Sequence, residues 1–132
     1  MKTILFILQN AYRNDKYKFR NKKEWGRDLD RSYTGKMLKK VIPKNCFYFV
    51  INSSPLIGDS ATSCFVADLD YMKKEISKIN PDIICACGYI AHHGLEHLGI
   101  PHYSMPHPAW RAFSNKQAEI IKKDLEKELE CH

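Results

Sequence analysis

Three apolar runs, Thr3 to Gln9, Cys46 to Ile51 and Asp82 to Cys87, are each about the length of one β-strand and apolar through their centres. A strand with only one buried face alternates apolar and polar residues. A strand apolar throughout must be covered on both faces, which is the situation inside a parallel sheet flanked by helices. The chain between these runs has helical spacing, over about Arg27 to Val41 and about Thr62 to Ile79, the second with Phe65, Leu69, Met72, Ile76 and Ile79 on one face. The order is therefore βαβαβ. A short helix around Ala91 to Leu98 leads to a fourth strand near His102 to Met105. A last helix opens at Ser114, where Ser114 and Gln117 have capping-box spacing and Ile121, Leu125 and Leu129 continue the apolar stripe. The expected fold is a three-layer α/β/α sandwich on a four-stranded parallel sheet in the strand order 2-1-3-4, and 132 residues suit one domain over 1–132.

The opening run from Thr3 to Leu8 is strand-length and has no small-residue cleavage site after it, so it reads as a strand rather than a signal peptide; no membrane span is expected. Five cysteines, an odd number without CxxC spacing and mostly inside apolar runs, indicate free thiols and a cytoplasmic location. Cys85 and Cys87, two apart in a strand, face the same side and suit core thiols better than a disulfide, metal or cluster. His93 and His97 share a helix face next to His92, but no third ligand stands at a recognisable zinc spacing.

Charge is concentrated in one place. Between Arg13 and Lys40 stand eleven Lys or Arg against four acids, which accounts for the whole net charge of +6. Tyr12, Tyr17, Phe19 and Trp25 are interleaved with these bases, a pattern that fits either a phosphate-binding face or a solvated basic loop. In an open parallel sheet, ligands bind beyond the carboxyl ends of the strands. Those ends are Gln9-Asn10-Ala11-Tyr12, Asn52-Ser53-Ser54-Pro55, Gly88-Tyr89 and Pro106-His107-Pro108-Ala109-Trp110-Arg111. Two amides and one imidazole thus follow three strands beside the basic segment.

With those segments in view, the chain resembles the uracil-DNA glycosylase superfamily, above all its mismatch-specific and single-strand-selective monofunctional branches. Leu8-Gln9-Asn10-Ala11-Tyr12 is similar to the first catalytic motif, GQDPY in many members and with Asn replacing Asp in those two branches. Phe49-Val50-Ile51-Asn52-Ser53-Ser54-Pro55-Leu56 is similar to the base-reading strand end FVxNxxPL. His107-Pro108-Ala109-Trp110-Arg111 is similar to the last motif, HPSPR or HPSPL, with Ala109 where Ser is usual. The chain is shorter than most members, and the Gly-Pro elements around the first motif are absent.

The resemblance implies an N-glycosidic hydrolase for uracil or a related base in single-stranded or mismatched DNA, working with water and no cofactor or metal. Asn52 would pair its amide with the base edge, His107 would donate to a base oxygen as charge develops, and Asn10 would orient the attacking water. Gln9 and Tyr12 would complete the base site, with Tyr12 against a 5-methyl group. Trp25 and Tyr33 stand as possible stacking partners, and Arg111, flanked by Trp110, occupies the wedge position. Ser53, Ser54, Lys16, Lys18, Lys22 and Lys23 would contact phosphates. A second class remains open, a non-catalytic binder that captures a nucleotide or nucleotide-derived signal in the same pocket, and a third is a binding module with a vestigial pocket.

Overall fold

Residues 1–14, 18–60 and 62–130 are described by a computed structural model of the chain, which leaves Lys16 and Tyr17 of the basic segment and Cys131 outside the described residues. The chain runs through β1 (Lys2–Leu8), β2 (Ala11–Tyr12), α1 (Lys22–Arg31), α2 (Tyr33–Lys39), β3 (Cys46–Asn52) and β4 (Ile57–Gly58). It continues through α3 (Leu69–Ile79), β5 (Ile83–Cys87), α4 (Tyr89–Leu98), β6 (Tyr103–Met105) and α5 (Asn115–Glu130). The main sheet is parallel throughout in the order β3-β1-β5-β6, which is the expected 2-1-3-4 order of the four long runs.

Period-two alternation divides each apolar strand between two cores. Ile4, Phe6 and Leu8 of β1, with Ile83, Cys85 and Cys87 of β5, pack on Met37 and Leu38 of α2 and on Ala118, Ile121 and Leu125 of α5. Leu5 and Ile7, with Ile51, Ile84 and Ala86, pack on Met72 of α3 and on Ala91 and Leu95 of α4. The result is an α/β/α sandwich in which Cys85 and Cys87 do share one face as buried free thiols, and burial pushes both thiols up from their ordinary range. Among the described residues no helix is long and apolar enough to cross a membrane.

Three expectations change in detail. The single helix expected over 27–41 is two, because Ser32 stops α1 and starts α2: its Oγ donates to Leu29 O and accepts from the Gly35 N–H. The helix expected from Thr62 begins only at Leu69, since Asp68 caps it by accepting from the Tyr71 N–H and the preceding residues are irregular. The run from Cys46 is buried only at its carboxyl end. As an edge strand, β3 leaves Phe47 and Phe49 57% and 49% exposed, whereas Ile51 and Asn52 lie under cover. The final helix is as expected, with the Ser114–Gln117 box closed by two reciprocal 3.1 Å bonds.

Candidate functional site

Parallel register brings the chemistry to one edge. Asn52, the last residue of β3, stands opposite Leu8, the last residue of β1, and Asn10 follows two residues later. The chain is then turned by a short parallel ribbon of β2 with β4, extended by a 2.9 Å bond from Arg13 N–H to Gly58 O. Beyond β6, His107 sits in a turn closed by Trp110 N–H on His107 O. Gly88, at the end of β5, has a φ of +96° and packs on His107, to whose Cβ a Cβ at Gly88 would lie 3.4 Å away. The left-handed backbone, not lack of space, is what calls for glycine there.

These ends surround a cavity of about 190 Å³ lined by Leu8, Asn10, Ala11, Tyr12, Asn52, His107 and Ala109 from the sheet side. The opposite wall is Phe19, then Trp25, Asp28 and Leu29 of α1, and Ser32, Tyr33 and Thr34 at the α1–α2 elbow. Positions 25, 28 and 29 fall on one helix face, so α1 presents an aromatic, a carboxylate and an aliphatic side together. Arg13 holds Phe19 in place: its guanidinium lies 5.2 Å from the ring centroid and its Nε donates to Phe19 O at 2.9 Å.

Two acceptors in this cavity lack a donor among the described residues. Asn10 donates its amide to Ala11 O at 3.0 Å, which orients the side chain, but Asn10 Oδ1 and Asn52 Oδ1 are buried without a hydrogen-bond partner among the described residues. A buried amide oxygen left without a donor costs about 1–3 kcal/mol, so both oxygens are acceptors available to water or to a ligand that enters the cavity. His107 is the complementary group. Burial lowers its pKa and keeps the ring neutral, and the Ala109 N–H donates to Nδ1 at 3.1 Å, so the single ring proton is on Nε2. The site therefore offers amide acceptors, the Asn52 amide N–H groups and one neutral imidazole N–H donor.

No family model, curated protein or solved structure matches the chain.

Of the residues singled out in the sequence, Asn10, Tyr12, Trp25, Tyr33, Asn52 and His107 line the cavity together. Gln9 does not; its Nε2 turns to Ser63 O at 3.4 Å. Ser53 is not placed for phosphate either, because it is fully buried and clasps β1, its N–H and Oγ reaching Leu8 O at 2.9 and 2.5 Å. Ser54 is buried with its Oγ accepting from Leu56 N–H, though it lines an adjoining hollow of about 290 Å³ that shares Ala11, Phe19, Trp25 and Asn52 with the first. Lys22 lines that hollow but is tied to Glu75 at 2.7 Å, and this bond holds the Glu75 carboxyl below its usual range. Lys18, Lys23, Trp110 and Arg111 are exposed and line neither space, and Lys16 lies outside the described residues. The histidines of α4 stand apart: His92 bonds His102 and Ser104 at 2.8 Å and pairs with Glu96, and no described group of His, Cys, Asp or Glu could hold a metal.

Phe19 and Asp28 are cavity residues that the sequence alone does not single out for the site. Phe19 belongs to the basic segment, whose path back over the strand ends is a tertiary matter. Asp28 has a local clue in the Asn21–Glu24 cap, where Asn21 Oδ1 accepts the Glu24 N–H at 3.0 Å, which starts a helix at Lys22 and puts 25, 28 and 29 in phase.

Proposed function

We propose that the chain hydrolyses the N-glycosidic bond of uracil or a related modified base in single-stranded or mismatched DNA, in the cytoplasm, with water as the only co-reactant. What carries the proposal is the convergence of Asn10, Asn52 and His107 on one aromatic-walled cavity, with neither amide oxygen meeting a donor among the described residues. A cavity of about 190 Å³ lies below the roughly 300–1,000 Å³ of pockets for drug-sized ligands, which suits one extruded heterocycle. Asn52 pairs with the base edge through its acceptor and donor. The Nε2–H of His107 meets the base oxygen on which charge builds as the bond breaks. Asn10 orients water, Phe19 or Trp25 stacks on the base, and Tyr12 forms the wall facing C5. Outside the cavity, Arg111 with Trp110 would fill the gap in the strand, and Lys18 and Lys23 would meet its phosphates.

Incubation with uracil-containing single-stranded and mismatched oligonucleotides, followed by alkaline cleavage, tests this directly: strand breaks at the uracil position are expected, and intact strands would oppose it. The adjoining hollow supports a second possibility, stoichiometric capture of a free nucleotide whose base occupies the first cavity. In that case calorimetric titration with nucleotides gives saturable heats while every oligonucleotide remains intact.

A further inference from the structure

Water that attacks the sugar gives up a proton, and a side chain able to relay it can be sought group by group in the cavity. Asn10 and Asn52 are amides and take no proton near neutral pH. His107 has its Nδ1 lone pair engaged by the Ala109 N–H, and its Nε2 carries the proton that the leaving base requires. Tyr12, Ser32, Tyr33 and Thr34 present hydroxyls, which donate and accept hydrogen bonds but are poor bases. Asp28 remains, the one carboxylate among the described residues lining the cavity. Unlike Glu24, which is paired with Arg20 at 3.1 Å, and Asp30, which is paired with Lys39 at 3.0 Å, Asp28 meets no cation or donor among the described residues.

We infer that Asp28 is the general base of the hydrolysis, an assignment that rests on the glycosylase proposal and gives the water proton a relay within the cavity. The water oxygen bonds to C1′ of the sugar while the C1′–N1 bond breaks and its electron pair leaves with the base. His107 Nε2–H stabilises that charge at the base oxygen. The proton lost by water passes to the Asp28 carboxylate and from there to the departed base anion, so sugar, base and carboxylate finish balanced. Asp28 also puts a negative charge beside the cationic sugar of the transition state, which favours it over the ground state.

The test uses single-turnover release of uracil from a single-stranded oligonucleotide by the full chain. Asp28→Asn, nearly isosteric, is expected to slow release by about 10²–10⁴-fold with DNA affinity unchanged. Asp28→Ala is expected to regain part of its rate in added formate, a rescue that a merely structural defect would not give. A wild-type rate in Asp28→Asn, or an Asp28→Ala defect untouched by formate, overturns the assignment and leaves the base pocket standing. An inactive wild-type protein overturns the glycosylase proposal and the role of Asp28 with it.

Discussion

In the proposed hydrolysis Asn52 and His107 have opposite tasks at the base edge, and their substitution should separate them. Asn52→Asp exchanges an amide that both donates and accepts for a carboxylate that only accepts, so it should repel a uracil carbonyl and lower uracil-DNA affinity by about tenfold or more. Competition binding of uracil-containing against cytosine-containing strands reads this, and an unchanged preference would remove Asn52 from the base edge. His107 carries a consequence for pH. Its folded pKa lies below the ordinary histidine value, so the unfolded chain takes up the proton first and stability falls as pH drops through that ordinary value and below, from about 6.5 downward. Melting temperatures of the wild type and His107→Asn should therefore diverge at neutral pH and converge on acidification; parallel curves would mean that His107 is not buried as a neutral ring. These residues were legible in the sequence because a parallel sheet sends every strand end to one edge, so Asn10, Asn52 and His107 could meet only there. Gln9 and Ser53 occupy the same strand ends, yet which neighbour turns inward is fixed by backbone geometry, and the Ser53 clasp on Leu8 has no sequence signature.

At the scale of elements, the wall opposite the sheet depends on the sharp elbow between α1 and α2. Gly35 makes it possible: a Cβ there would fall 2.1 Å from Leu29 O, a backbone atom that cannot turn aside. Gly35→Ala should force the two helices apart, cost about 1–3 kcal/mol and weaken base binding through displacement of Leu29, Ser32 and Tyr33. Thermal melting together with ligand titration measures both effects, and an unperturbed melting temperature would contradict the close approach. The far end of α1 is held to α3 by Lys22 and Glu75, whose carboxylate is 11% exposed. The main strands and α5 were legible because apolar period and capping agree locally. The α1–α2 break was not, because Ser32 is neutral as a helix residue until the close approach at Gly35 demands a turn, and the β2–β4 ribbon is too short to carry a pattern.

For the whole molecule, the positive segment between Arg13 and Lys40 supplies one wall of the cavity and most of the excess charge, so under the proposed function base recognition and strand attraction would come from one stretch of chain. Lys18 and Lys23 are the exposed positions to change, because Lys22 is engaged by Glu75 and its loss would also loosen the fold. Lys18→Ala with Lys23→Ala should weaken single-strand binding regardless of sequence and reduce the salt slope by about 0.7 for each phosphate no longer neutralised, as anisotropy titrations across ionic strength would measure. An unchanged slope would make these residues part of a solvated surface. The central claim is that Asn10, Asn52 and His107 act together on one extruded base, and the most direct measurement is release of free uracil from a single-stranded oligonucleotide with protein in excess, followed beside strand affinity. Wild type is expected to yield free uracil and an abasic strand, with His107→Ala losing release by about 10²–10³-fold while strand affinity holds; a strand that is bound by the wild-type protein and recovered with its uracil intact would contradict it.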